Sequence, residues 1–198
     1  IYVLVPYTPQ AAAQVADIEA LVQLAIDETS LQYANSDITA NVALAHTYQT
    51  VQNGSGSFST DLNRLQNPAD GFFDEVHGLR DEHGGDVVVL ITRDYGSACG
   101  QARTILADDE SEAFAAASQS CATGYYTFGH EIGHLQGARH NPETDPNTSP
   151  FAYGHGKYWQ AGSWRTVMSY NCPGGCTRVP HWSNPDILYN GTPSGDTS

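Results

Sequence analysis

The sequence predicts an α+β fold: a twisted mixed sheet with long helices in a larger N-terminal part, then a small irregular C-terminal part. Three observations carry this prediction. Helical and strand patterns alternate along residues 1–92. The segment Asp86–Thr92 contains an unbroken apolar run, which is typical of a strand covered on both faces. After Asn141, Pro, Gly, Asn and aromatic residues dominate, so the remaining chain is too irregular for a core of its own and must pack on the first part.

The first elements follow from hydrophobic periodicity. Tyr2–Tyr7 reads as a short strand that ends at a proline. Apolar residues recur at helical spacing from Ala11 to Tyr33, which predicts one long amphipathic helix. Ile38–Thr50 is then predicted as a strand.

The later elements are bounded by capping and breaking residues. Ser59 or Thr60 is expected to cap a short helix that ends before Pro68. Gly84 and Gly85 stop a second helix. The remaining predicted elements are the helix Phe72–Glu82, an edge strand Gly100–Ala107, another at Ala113–Ser120, and the helix Tyr125–Gly137.

Length and composition limit the number of domains and exclude a disordered or membrane-spanning chain. The chain has 198 residues, of which 40% are hydrophobic and 15% charged, so it is not a disordered chain. We expect a single domain over 1–198, with subdomains of about 1–137 and 138–198. The longest apolar run, Val87–Ile91, is far shorter than the roughly 20 residues of a membrane span. Ile1 opens a strand, so any signal and pro-segment of an exported protein are expected to have been removed.

The net charge of −14 argues against nucleic acid or an anionic membrane surface as a partner. The charge is uneven along the chain. Residues 1–146 carry five arginines and 20 acids, a net charge of −15, whereas residues 147–198 carry a net charge of +1. A solvated acidic face on the larger part is the simplest explanation.

Four cysteines predict two disulfides and an oxidising compartment. We expect the pairs Cys99–Cys121 and Cys172–Cys176, which are separated by 22 and 4 positions. A zinc knuckle that uses Cys172, Cys176 and His181 is the alternative, although no second cysteine pair has the knuckle spacing.

The eleven-residue segment His130–His140 contains the candidate metal ligands and a candidate catalytic acid or base. His130 and His134 are four residues apart, so on a helix they share one face and can reach one ion. Gly137 can adopt a positive φ, which lets the helix end and the chain turn so that His140 becomes a third ligand. Glu131 projects beside the first ligand, placed to hold a water. Three ligands and an open position are typical of catalytic zinc; a structural zinc site or a chance cluster is the alternative.

This segment resembles the zinc signature of the metzincin metalloproteases. That clan also has a tight turn with a methionine beneath the metal, and Met168 lies 28 residues after His140. The alternative for a lone methionine is a core filler. The resemblance covers essentially the whole chain and implies a metzincin-like fold with a zinc-carrying helix and a small C-terminal subdomain.

Within the clan, the chain is similar to reprolysin-like bacterial enzymes, and in particular to the peptidyl-Asp metalloendopeptidases. The similarity rests on four further segments: Cys121–Gly129, Gly137–Pro142, Tyr153–Gly156 and Arg178–Pro185. It implies cleavage on the amino side of aspartate.

Two residues depart from the reprolysin pattern. Reprolysins proper carry Asp after the third histidine, where this chain has Asn141, and their methionine turn lacks a tyrosine at the place of Tyr170. A tyrosine there resembles astacins and serralysins, in which it ligates zinc or hydrogen-bonds the tetrahedral intermediate. The alternative is a buried tyrosine that holds the turn by its hydroxyl.

Together these features predict a secreted, monomeric zinc endopeptidase that acts on protein or peptide substrates with one catalytic zinc ion. Glu131 would act as the general base, and Tyr170 would help zinc to stabilise the oxyanion. An extended substrate would add a strand to the edge Gly100–Ala107. The alternatives are a protease of broader or different specificity and a catalytically silent zinc-binding module.

Recognition of aspartate by so acidic a protein requires a cation in the pocket after the scissile bond. The cations of the C-terminal part are Lys157, Arg165 and Arg178. Arg178 is the preferred candidate for binding the aspartate, because a guanidinium can donate two hydrogen bonds to one carboxylate. The alternative is that each cation pairs with a surface acid. The acidic run Asp108–Glu110 makes a calcium site possible, but a solvated loop is the simpler interpretation.

Overall fold

The computed structural model describes residues 1–96 and 98–197. In chain order, the helices and strands of these residues are β1 (Tyr2–Tyr7), α1 (Pro9–Ala12), α2 (Ile18–Asn35), β2 (Ala43–Gln49), α3 (Phe58–Gln66), α4 (Glu75–His83), β3 (Val87–Thr92), β4 (Gly100–Ala102), β5 (Phe114–Ser118), α5 (Gln119–Ala122), α6 (Thr127–Leu135), β6 (Tyr158–Trp159), β7 (Trp164–Arg165), β8 (Thr177–Arg178), β9 (Leu188–Tyr189) and β10 (Thr192–Pro193). A 3-10 turn, Gln160–Gly162, lies between β6 and β7.

The predicted helix Ala11–Tyr33 is two helices, α1 and α2. Thr8 caps α1, and Asp17 leaves helical geometry to cap α2, accepting a hydrogen bond of 3.0 Å from the backbone of Ala20. A cap residue needs extended backbone angles, so the chain cannot remain helical through Asp17. The amphipathic pattern itself is confirmed, because Val22, Ile26 and Tyr33 are buried.

Other predicted boundaries shift by a few residues. The strand predicted over Ile38–Thr50 begins only at Ala43, and the second helix begins at Glu75 rather than Phe72. Ser57, not Ser59 or Thr60, caps α3. The helix predicted over Tyr125–Gly137 begins at Thr127, because Tyr126 adopts left-handed backbone angles, and ends at Leu135.

A mixed sheet organises the described residues, with the strand order β2-β1-β3-β5-β4. All neighbours are parallel except β4, which runs antiparallel to β5. Every residue of β5 is buried, so the prediction of a second edge strand at Ala113–Ser120 is wrong. The edge strand is β4, and its other side is unpaired within the described residues.

β4 is shorter than the predicted strand Gly100–Ala107 because the chain leaves the sheet after Ala102. The backbone amides of Leu106 and Ala107 donate to the carbonyls of His134 and Leu135, the last residues of α6. The departing chain satisfies the Leu135 carbonyl, which has no partner inside the helix, and gives the His134 carbonyl a second donor besides the Gly137 amide.

Helices cover both faces of the sheet, which confirms the mixed α/β architecture. Alternate residues of β3 point to opposite faces: Val89 and Ile91 pack with α2 and α6, whereas Val88 and Leu90 pack with α3 and α4. The prediction that Asp86–Thr92 is covered on both faces is therefore confirmed. Of the described helices, none has both the length and the apolar character to cross a membrane.

The C-terminal part is irregular, as predicted, and is tied together by short strand pairs. β6, β7 and β8 form one small sheet, and β9 pairs with β10. Val167, Met168 and Trp182 join the same hydrophobic cluster as α2 and α6, so the C-terminal part shares the main core. The predicted disulfides Cys99–Cys121 and Cys172–Cys176 are both present, and the zinc-knuckle alternative is wrong because its two thiolate ligands are bonded to each other.

Gly133 allows α6 to pack tightly on the C-terminal part. A Cβ atom at this position would lie 2.7 Å from the sulfur of Met168 and would clash with the ring of Trp182. A Cβ on Gly78 of α4, in contrast, would meet no atom within 4 Å.

We expect Gly133→Ala to lower the free energy of unfolding by about 1–3 kcal/mol, because overpacking forces neighbours to shift. Gly78→Ala is the matched control and should be neutral or slightly stabilising, since alanine favours a helix more than glycine does. Chemical denaturation of both variants measures the difference. Equal stability of the two variants would contradict tight packing at Gly133.

Candidate active site

Three histidines meet at the end of α6. His130 and His134 project from one face of the helix, and the Nε2 atom of His140 lies 3.2 Å and 3.1 Å from their Nε2 atoms. Gly137 has a φ of +93° and follows the helix, and the amide of Ala138 donates to the carbonyl of Gly133. This is a Schellman ending, which turns the chain so that His140 faces back to the helix.

The hydrogen bonds of His130 and His134 show that the Nε2 atoms of these two rings carry lone pairs. The Nδ1 atom of His130 lies 2.8 Å from the Val167 carbonyl, and that of His134 lies 2.8 Å from the Ala138 carbonyl. A carbonyl only accepts, so Nδ1–H donates and Nε2 is unprotonated in each neutral ring.

Burial is the main cause that lowers the pKa of all three rings, that of His140 to about 4. The acceptor nitrogens of His130 and His134 converge with the Nε2 atom of His140, an arrangement that favours a cation between the three rings. The residues therefore fit a zinc ion, with backbone carbonyls that orient the ligands. Among the described residues, this is the one group of three or more His, Cys, Asp or Glu side chains with ligand atoms within 4.8 Å of one another.

Glu131 lies buried beside this centre. Desolvation raises its pKa to about 8, although the charge of Arg178 and a hydrogen bond from the backbone of Ala102 act in the opposite direction. Its carboxylate lies against β4, where a Cβ atom on Gly100 would be 2.7 Å from Oε1. Gly100 was predicted only as the first residue of an edge strand and not as part of the site. A glycine inside a strand pattern marks a close approach of another group, and this signal was available in the sequence.

Two cavities meet at the histidines, and both are lined by Gly100, His130, Glu131 and Tyr170. The first, of about 330 Å³, is also lined by Tyr125, Arg165 and Arg178, and we call it the arginine pocket. The second, of about 350 Å³, follows residues 100–105, and we call it the edge cavity. Together they form a cleft along β4 that passes the histidines and Glu131.

The three predicted specificity cations have different surroundings. Arg178 lines the arginine pocket and has no ion-pair partner among the described residues. Arg165 lines the same pocket, but it is 2% exposed and donates to the carbonyls of Ser169 and Cys176. Lys157 lines neither cavity and pairs with Asp196 at 2.7 Å, as expected of a surface cation.

Arg178 is distinctive because it is half-buried yet incompletely hydrogen-bonded. Its Nε atom is buried with no hydrogen-bond partner in the described part of the chain. Desolvation, followed by the charge of Arg165, lowers its pKa to about 10, so it remains charged at neutral pH. A buried, charged donor without an acceptor is costly unless a ligand supplies one.

The methionine turn lies beneath the histidines. Met168 is buried against α6, and the preceding carbonyl of Val167 accepts from His130. Tyr170 is 48% exposed, and its ring centroid is 4.1 Å from that of His140, so its ring faces the cleft rather than the core. The backbone of Tyr170 is fixed by Asn141, whose Oδ1 accepts from the Tyr170 amide at 2.9 Å.

The acidic run Asp108–Glu110 does not gather into a cage of oxygens. Asp109 accepts two hydrogen bonds from Ser111. The guanidinium of Arg80 donates to the backbone carbonyls of Gly85, Asp86 and Glu110. A cation of the chain itself therefore bonds the backbone carbonyls in this corner.

Comparison with known proteins agrees with this geometry. The model of metallo-peptidase family M12 matches residues 1–183 of the chain. The chain belongs to metallo-peptidase family M12. The resemblance inferred from the His130–His140 segment is therefore confirmed, and zinc is the metal that the family and the three histidines indicate.

Several relatives of this M12 chain are named peptidyl-Asp metalloendopeptidases. One from Xanthomonas campestris is 47% identical over the full chain, and one from Stenotrophomonas maltophilia strain R551-3 is also 47% identical. The chain spans 47% and 48% of their lengths, or about half of each. A relative from Pseudomonas fragi is 38% identical over 82% of the chain and 86% of its own length.

Solved structures share the M12 fold at low identity. Metalloproteinase-II from Bacteroides fragilis matches with a TM-score of 0.55 and 17% identity, over 94% of this chain and 50% of that one. A chain in a chaperone–substrate complex matches with a TM-score of 0.72 and 18% identity, over 99% of this chain and 31% of that one. Both comparisons support the fold alone.

We expect one tightly bound zinc ion per chain, because neutral imidazoles that converge in a buried site bind zinc strongly. A chelator should remove the metal and His134→Ala should lose it, with elemental analysis as the measurement. His46→Ala is the control. His46 stacks on His83 and lies far from α6 in the sequence, so this variant should keep the metal. Unchanged zinc content in His134→Ala would refute the assignment of the ligands.

Proposed function

We propose that this protein is a zinc-dependent endopeptidase that hydrolyses peptide bonds on the amino side of aspartate. The observation that carries the proposal is one continuous cleft. It holds the three histidines and the buried Glu131 at its centre. In the pocket beside them lies Arg178, which has no ion-pair partner among the described residues. The names of the curated relatives point to the same activity.

Glu131 is the general base in this proposal. When bound by His130, His134 and His140, zinc supplies Lewis acidity that polarises the scissile carbonyl and acidifies water. Glu131 takes the proton of the attacking water on its carboxylate and then delivers it to the leaving amine. Its place in the cleft beside the histidines and against β4 suits this shuttle.

Tyr170 is proposed to assist at the scissile carbonyl. Its half-exposed ring lines both cavities and lies against His140. A phenol hydroxyl in that place can donate to the oxygen on which negative charge develops. Asn141 keeps the backbone of Tyr170 in place through the 2.9 Å hydrogen bond described above.

The substrate is proposed to bind as an extended strand. β4 is the edge of the main sheet, and the edge cavity runs along residues 100–105. Backbone groups on such an edge pair with a peptide regardless of its sequence. β4 would thus supply affinity, and the pockets beside it would supply specificity.

Arg178 is proposed to bind the carboxylate of the aspartate that follows the scissile bond. It lines the arginine pocket next to Glu131, and its buried Nε lacks an acceptor among the described residues. An arginine fork binds a carboxylate through two hydrogen bonds, which would satisfy this donor. The arginine pocket would therefore select aspartate through a cation in a protein of net charge −14.

We further propose that residues 1–198 act as one catalytic domain, monomeric and secreted, with proteins or peptides as substrates. Two disulfides support an oxidising compartment, and the hydrophobic cluster shared by both parts supports a single domain. The acidic surface disfavours nucleic acid and anionic membranes as partners.

A catalytically silent zinc module and a protease of broader specificity are the competing functions. The buried, intact Glu131 favours catalysis, and the unpaired Arg178 favours a narrow specificity. Digestion of an unfolded protein, followed by mass spectrometry of the fragment termini, distinguishes the proposed Asp-specific endopeptidase from these two competing functions. Fragments that begin with aspartate are expected; no cleavage, or cleavage at unrelated residues, would contradict the proposal.

We expect Glu131→Gln to keep the fold and the zinc but to lower turnover by at least about 10²–10⁴-fold, since the amide cannot take the proton. Zinc content and the unfolding transition serve as internal controls. Turnover within tenfold of the unaltered protein would show that another group is the base.

Arg178→Ala should lower the preference for aspartate by roughly 2–4 kcal/mol, because the carboxylate would be buried without a partner. The measurement is the ratio of kcat/KM for two peptides that differ only in Asp or Asn after the scissile bond. Lys157→Ala removes a cation outside the cleft and is the matched control. If the Asp:Asn ratio of kcat/KM is the same in Arg178→Ala as in Lys157→Ala, Arg178 is not the aspartate-binding residue.

A further inference from the structure

Arg178 is held in a fixed orientation by one residue, Tyr125. The Nη1 atom of Arg178 donates to the Tyr125 carbonyl at 2.9 Å, and its guanidinium carbon lies 4.5 Å from the centroid of the Tyr125 ring. Nε and Nη2, which form the other side of the fork, have no hydrogen-bond partner among the described residues, and Nε is buried. That side presents two parallel N–H groups, the arrangement that matches a carboxylate.

Tyr125 is itself held by Arg165. The Nη2 atom of Arg165 donates to the Tyr125 hydroxyl at 2.9 Å, and the guanidinium carbon of Arg165 lies 5.3 Å from the ring centroid. Arg165 is anchored in turn, since its Nη1 donates to the Ser169 carbonyl at 2.6 Å. The Tyr125 ring therefore contacts two guanidinium groups, and its electron-rich face offsets part of their repulsion.

The backbone on both sides of Tyr125 fixes the direction of its carbonyl. Gly124 has a φ of +68° and Tyr126 a φ of +60°. The second value is uncommon for a bulky side chain and is strained, so the surrounding structure imposes it. The amide of Gly124 donates to the Glu28 carboxylate, which ties this turn to α2.

We propose that Tyr125 is the positioning residue of the aspartate pocket, and that Arg165 acts through Tyr125 rather than on the substrate. Tyr125 orients Arg178 by its carbonyl and ring, so that the Nε–Nη2 side meets the carboxylate. Arg165 was predicted from the sequence to bind substrate; its donors are instead engaged by protein carbonyls and by Tyr125. This inference rests on the proposed function.

A fixed guanidinium loses little conformational freedom when the carboxylate binds. Without the Tyr125 hydroxyl, Arg165 loses an acceptor and the ring loses its tether, although the ring and carbonyl of residue 125 remain. The advantage of aspartate should therefore fall by about three- to tenfold, the cost of immobilising one flexible side chain. A change in overall stability alone would not alter the preference between two isosteric substrates.

The experiment compares Tyr125→Phe, Arg165→Lys and Arg178→Ala with the unaltered protein. Tyr126→Phe is the matched control, because it removes the same hydroxyl one residue away and outside the lining of the arginine pocket. For each variant, kcat/KM is measured on two peptides that carry Asp or Asn after the scissile bond. Zinc content and the melting temperature are recorded for all variants.

The expected result is a three- to tenfold lower Asp:Asn ratio in Tyr125→Phe and Arg165→Lys, a larger loss in Arg178→Ala, and no change in Tyr126→Phe. If Arg178→Ala loses the preference while Tyr125→Phe keeps it within twofold, the positioning role is overturned and the proposed function stands. If Arg178→Ala also keeps the preference, the aspartate pocket itself is refuted. Should Arg165→Lys fail to fold, Tyr125→Phe decides alone.

Discussion

The buried hydrogen bond from the His130 ring to the Val167 carbonyl joins the two parts of the chain at the metal centre. It fixes the tautomer of His130, so that Nε2 is free to bind a cation. It also holds the methionine turn under α6, where Met168 packs against Gly133. The same turn provides the Ser169 carbonyl to which Arg165 is anchored. The metal ligands and the arginine pocket thus share one short piece of backbone, and a displacement of the turn would disturb both.

The cleft has the opposite charge to the rest of the protein. Of the eight Lys and Arg residues in the chain, Arg103, Arg165 and Arg178 line the two cavities, and Glu131 is the one acid among their described lining residues. An acidic surface around a cationic cleft focuses the electric field into the cleft. Under the proposed function, an acidic peptide segment would be repelled elsewhere and attracted there. This arrangement explains how a protein of net charge −14 can accommodate an acidic side chain.

Local features were predictable from the sequence, and features that depend on distant contacts were not. The three histidines and Glu131 fall within eleven residues, so spacing alone indicated their convergence. The buried run of β3 was equally clear. The interior position of β5, in contrast, depends on pairing with β4, which no local pattern encodes. The role of Tyr125 depends on Arg165 and Arg178, which are 40 and 53 positions away, and on a left-handed turn.

The guanidinium of Arg80 links two segments of the main sheet through backbone hydrogen bonds. It bridges three backbone carbonyls, those of Gly85, Asp86 and Glu110, and connects the chain entering β3 with the chain entering β5. Divalent ions often fill such corners, and their occupancy then varies with the supply of the ion. A covalently attached cation is always present at the same effective concentration. These three hydrogen bonds are therefore made by a group that neither dilution nor a chelator can remove from the chain.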